Sequence, residues 1–171
     1  MFDISVLVPY ANQLHDLVDA NMHDDNSADA LRTQHLLIHS LAHKHCHSLT
    51  LALHEKTGLP VYILYDENGG LVHSYLRFDE YALDGYLLSS PERTVARYQL
   101  VADVHGLGSL SVAPISAQRL RELNKRILRP ASEMLIQFRA LIDLSGIEVV
   151  TPNLSPLESH QLEGYACSLL N

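Results

Sequence analysis

Cys46 stands where the local pattern predicts the start of a helix. Unpaired backbone N–H groups and the helix dipole favour negative charge at such a start, so a thiol there is biased towards thiolate. A thiolate becomes a catalyst when a base or ion-pair partner attends it and an acid orients that partner. His73, in a predicted returning strand, and Asp84, after the next strand, supply those residue types in order. Cys46, Leu49 and Leu53 fall at i, i+3 and i+7, so one helix face joins the cysteine to leucines that should face the core. If that face packs on the strands, Cys46, His73 and Asp84 converge at one edge. The expected chemistry is thiolate attack on an acyl carbon, with the Cys46 N–H contributing to an oxyanion hole.

A second constellation competes with the first. The chain has 11 histidines, and His35, His39 and His43 step by four along a predicted helix. Neutral imidazoles at i and i+4 can bind a divalent metal, so these three form the alternative site. His45, His47 and His54 follow closely, but His54-Glu55 lacks the second histidine of an H-E-x-x-H site, and Cys167 has no Cys-x-x-Cys partner. The spacing permits a metal without matching a known signature. The triad therefore leads, with no cofactor and no metal, and a His-rich metal protein or a non-catalytic interaction module is the alternative.

Composition sets the frame. The chain has 171 residues, 12 Lys and Arg against 20 Asp and Glu, and a net charge of −8, which argues against nucleic acid as a partner. The segment MFDISVLVPY lacks a basic start, carries Asp3 and breaks at Pro9, unlike a secretory signal. No run approaches the roughly 18 apolar residues of a membrane span, so no membrane is expected. Two cysteines, Cys46 and Cys167, suit a reducing compartment, hence a cytoplasmic site of synthesis. There is no Gly-x-Ser-x-Gly elbow and no phosphate-binding glycine loop, and Gly106-Leu107-Gly108 lacks the third glycine of a dinucleotide fingerprint.

The elements that must position the triad read as α+β in a single domain, 1–171. Its parts are a helical N-terminal part (1–45), a core carrying the triad (46–85) and a helical C-terminal part (116–142). Helices are predicted over Ile4 to Ala20, with cap candidates Asn26 and Ser27 before the next, and over Ala28 to Ala42. The cysteine helix starts at Cys46 and stops at Gly58 before Pro60. Val61 to Tyr65 and Leu71 to Arg77 form a hairpin about the Asp66 to Gly70 turn, and Tyr81 to Leu83 forms a third strand. Ser90 and Pro91 open a helix to about Leu100, and Leu107 to Pro114 is extended. A helical pattern from Ser116 is split by Pro130; Ile147 to Val150 reads as a strand and Ser155 to Leu170 as a final helix. Arg119, Arg121, Lys125, Arg126 and Arg129 crowd one predicted helix, which reads as a solvated face or as a docking face for an acidic partner.

The stretch from Cys46 to Gly85 resembles small bacterial papain-like cysteine proteins. The resemblance rests on Cys46 heading a helix that ends in Thr57-Gly58-Leu59-Pro60. An apolar strand, His73 in the returning strand, Leu83-Asp84-Gly85, and the Ser90-Pro91-Glu92 helix start follow in order. It covers about a quarter of the chain. It implies a papain-like fold, with the nucleophile helix on a small antiparallel sheet, and a thiol hydrolase, deamidase or acyltransferase acting on a protein or peptide. It also implies a toxin, effector or phage-encoded protein, delivered to another cell without a cleavable signal peptide. Papain-like enzymes often place a glutamine shortly before the cysteine as an oxyanion donor; here Gln34 lies far upstream and Ser40 is the nearer polar residue.

Overall fold

The computed structural model describes residues 29–144. The helix predicted over Ile4 to Ala20, the cap candidates Asn26 and Ser27, the strand at Ile147 to Val150, the final helix and Cys167 lie outside the described residues.

Helix α1 (Asp29–Ile38) runs into a π-helical turn, His39–Lys44, rather than continuing as a regular helix to Ala42. The His45 N–H closes that turn by donating to Ser40 O at 2.9 Å, a bond that spans five residues. His45 then leaves helical geometry, and helix α2 (Cys46–Thr57) begins afresh with Cys46 as its first residue. Gly58 ends α2 in the left-handed region at φ 70°, where its N–H donates to His54 O.

The expected hairpin follows. Strand β1 (Val61–Tyr65) turns through Asp66, whose Oδ1 accepts the N–H groups of Asn68 and Gly70, into β2 (Leu71–Phe78). Strand β3 (Tyr81–Asp84) and a short β4 (Leu87–Ser89) extend the sheet. Helix α3 (Pro91–His105) is capped by Ser90, whose hydroxyl accepts from the Arg93 N–H, and runs one turn beyond the predicted end. Strand β5 (Ser111–Ile115) pairs with β1, so the sheet is antiparallel in the order β4-β3-β2-β1-β5. Helices α4 (Ala117–Asn124) and α5 (Ala131–Leu144) complete the described fold, which is α+β.

Helix α2 lies between β2 and α5. Leu49, Leu53, Leu64, Leu76 and Leu83 are fully buried in the core between them. At about 1.5–3 kcal/mol for each large apolar side chain withdrawn from water, this layer anchors the helix that carries the cysteine.

The basic cluster is the clearest correction. Helix α4 stops at Asn124, whose buried side chain donates to Leu120 O at 3.0 Å, so Lys125, Arg126 and Arg129 fall beyond it. Arg121 meets Glu55 at 2.6 Å and Arg119 meets Glu122 at 3.4 Å. The five cations do not form one helix face, and two of them are paired with acids of the same chain. Among the described residues no helix is long and apolar enough to cross a membrane.

Candidate active site

Asp84 is held before it holds anything. It ends β3 at a tight hairpin, and its Oδ1 accepts the Tyr86 N–H at 2.8 Å. Gly85 lets this hairpin press against the π turn, because a Cβ there would collide with the main chain of Leu41 and Ala42. Leu87, just past the turn, sits at φ 65°, an uncommon conformation for a branched residue and a mark of local strain. The second carboxylate oxygen, Oδ2, accepts from His73 Nε2 at 2.9 Å. The register of β2 on β3, Leu76 opposite Leu83, brings these two residues together.

His73 is completely buried, and Asp84 nearly so. Tyr98 of α3 stacks on the imidazole with ring centroids 3.7 Å apart, and its hydroxyl donates to Ala42 O at 2.9 Å. With Nε2 committed to Asp84, the neutral ring presents a lone pair at Nδ1. That atom is buried and makes no regular hydrogen bond; the Cys46 thiol is the group that interacts with the ring. A buried polar atom left open in this way is uncommon.

Cys46, 5% exposed, interacts with this ring. Burial alone pushes the thiol up; hydrogen bonding to His47 and then interaction with His73 outweigh it and bring the pKa down to about 5. Burial likewise pulls the His73 imidazolium down, but Asp84 and the cysteine sulfur raise it to about 9. Between those values the favoured state is a thiolate–imidazolium pair, titrating as a coupled unit.

The structure thus brings Cys46, His73 and Asp84 together. It adds two residues that the sequence reading assigned elsewhere or passed over. His47, grouped by spacing with the metal candidates, has Nδ1 at 3.6 Å from Cys46 Sγ and 2.9 Å from Ser74 Oγ. Its sequence signal was adjacency to the cysteine. Tyr98 carried no signal, because only the packing of α3 places it over the imidazole.

The alternative metal set is not assembled. Among the described residues no three His, Cys, Asp or Glu side chains are placed to hold a metal ion. His39 and His43 stay neighbours, with ring centroids 5.6 Å apart, but His43 Nε2 meets Tyr86 OH at 2.6 Å and, among the described residues, no third ligand joins the pair. Ser40, the nearer candidate for an oxyanion donor, gives its hydroxyl proton to Gln137 Oε1 at 3.0 Å. Gln34 is buried on α1. The backbone at the start of α2 is therefore the better donor, since His45 supplies no side-chain cap there. Comparison of the chain with protein-family models, curated proteins and solved structures finds no match.

Proposed function

We propose that the protein is a papain-like cysteine hydrolase or transferase acting on an amide-type carbonyl of a protein or peptide. The observation that carries this reading is the His73 ring, bound to Asp84 through Nε2, open at Nδ1 and interacting with a thiol whose pKa is about 5. The Cys46 thiolate attacks the carbonyl carbon, forming a C–S bond while the C=O electron pair moves to oxygen. Backbone N–H groups at the start of α2 stabilise that oxyanion. As the tetrahedral species collapses, the C–N bond breaks and His73 gives its Nδ1 proton to the departing nitrogen. Water, deprotonated by the now neutral His73, then attacks the thioester, expelling the thiolate, releasing the acid and restoring the thiolate–imidazolium pair. An amine as acceptor in place of water gives transfer. Ammonia as the leaving group makes the reaction a deamidation; a peptide amine makes it proteolysis.

The test is thiol reactivity in the full chain. Brief iodoacetamide labelling at neutral pH, followed by peptide mapping, is expected to find Cys46 modified much faster than Cys167. Substitution His73→Ala should abolish that preference. Equal labelling of the two cysteines would overturn the proposal.

A further inference from the structure

Counting protons gives the two histidines that interact with Cys46 different tasks. The Thr50 hydroxyl has one proton, which goes to the Ser74 carbonyl oxygen at 2.9 Å, a group that can only accept. Thr50 Oγ1 is then an acceptor for Ser74 Oγ, 3.1 Å away, and the Ser74 hydroxyl spends its only proton there. Ser74 Oγ can meet His47 Nδ1, at 2.9 Å, only as an acceptor. His47 Nδ1 therefore carries a hydrogen, and Cys46 Sγ lies 3.6 Å from it. Thr50 and Ser74 are both buried, so water does not compete to reverse this order. At His73, by contrast, Asp84 fixes the proton on Nε2 and leaves Nδ1 able to accept.

We infer that His47 is a thiolate-binding donor, its Nδ1–H shared between Ser74 Oγ and Cys46 Sγ in a tautomer fixed by the Thr50–Ser74 pair, while His73 alone takes the thiol proton. The inference deepens the proposed function and rests on Cys46 being its nucleophile. A donor that cannot act as a base stabilises the charged sulfur without competing for the proton that His73 must later return. Ser74 and Thr50 act through His47 and are positioning residues.

Nitrogen NMR of the histidine-labelled full chain reads the tautomer directly. The expected result is a hydrogen on Nδ1 of His47; a neutral His47 bearing its hydrogen on Nε2 would overturn the inference. Ultraviolet titration of the thiolate supplies the second arm. His47→Ala is expected to raise the Cys46 midpoint by about one unit. His47→Asn, whose amide N–H can occupy the place of Nδ1–H, should restore most of the shift, and Ser74→Ala should raise the midpoint by less than His47→Ala. An unmoved midpoint in His47→Ala, or no rescue by asparagine, sinks the inference and leaves the triad standing. A wild-type midpoint near an ordinary thiol's would instead sink the ion pair on which the proposed function depends. Should His47→Ala fail to fold, the wild-type tautomer decides alone.

Discussion

Tyr98 lies almost flat against His73, with ring planes 18° apart and centroids 3.7 Å apart, and ties its hydroxyl to the Ala42 carbonyl of the π turn. One side chain thus fixes the imidazole and joins α3 to the turn that precedes Cys46. The two contributions separate by substitution. Tyr98→Phe keeps the stacked ring and loses one hydrogen bond, a cost of about 1 kcal/mol, with the thiolate midpoint unchanged. Tyr98→Ala removes the ring and leaves a cavity, a cost of about 3–5 kcal/mol, and the freed imidazole no longer holds the thiol low. Chemical denaturation with thiolate titration on both variants checks this. A low midpoint retained in Tyr98→Ala would show that the stack is not what positions His73.

Gly85 is expected to be intolerant of even one carbon. Its added Cβ would meet Ala42 N at 2.4 Å and Leu41 C at 2.7 Å, all main-chain atoms that no rotamer change can move aside. Gly85→Ala should cost about 1–3 kcal/mol by overpacking and shift the β3–β4 turn away from the π turn. Because Asp84 precedes that glycine, the variant should also lose the low Cys46 midpoint. A melting curve like that of wild type would refute the tight approach.

The coupled pair has a signed effect on stability. Cys46 falls from an ordinary 9.0 to about 5, so its contribution is complete above pH 9 and is lost as pH drops to 5. His73 rises from 6.5 to about 9, so its contribution is complete below pH 6.5 and is lost as pH climbs to 9. Between 6.5 and 9 the two slopes cancel, because folded and unfolded chains hold one proton on the pair. Below 6.5 the unfolded chain holds two and the folded chain one, so stability falls down to pH 5. Cys46→Ser removes the thiol's slope. The melting-temperature advantage of wild type over Cys46→Ser should therefore shrink as pH falls from 6.5 to 5. An advantage constant over that range would contradict a thiolate in the folded state.

Much of the site was legible because its parts are close in sequence and marked by strong local signals. Gly58 before Pro60 stops the cysteine helix, and Asp66 to Gly70 turn the hairpin, so the order Cys46, His73, Asp84 nearly dictates their convergence. What escaped depends on distant packing. The π turn takes its extra residue where Gly85 abuts Ala42, a contact no helical period announces. Strand β4 has three residues and begins at a left-handed leucine, too short and too irregular for an alternation pattern. The spacing of His47 groups it with other histidines, whereas its hydrogen bond is to Ser74 from β2. The basic run fits one helix by its local pattern, because nothing local shows that Asn124 turns its side chain back to Leu120 O.

Asp84→Asn gives the sharpest test of the triad, since it changes a tautomer while preserving shape. The asparagine oxygen can keep the Tyr86 N–H bond that Oδ1 now makes at 2.8 Å. Its amide nitrogen then faces His73 Nε2, which must turn acceptor, so the ring hydrogen moves to Nδ1. That atom can no longer take the thiol proton. Activity should fall by about 10³–10⁴-fold, with circular dichroism unchanged and the thiolate midpoint shifted upward. The loss should not multiply with that of Cys46→Ser, because members of one catalytic unit are strongly non-additive. An alkylating probe of Cys46 can follow the midpoint before any substrate is identified. If Asp84→Asn kept the wild-type midpoint and probe rate, the carboxylate would be a turn residue only, and the Cys46–His73 pair would have to work without an orienting acid.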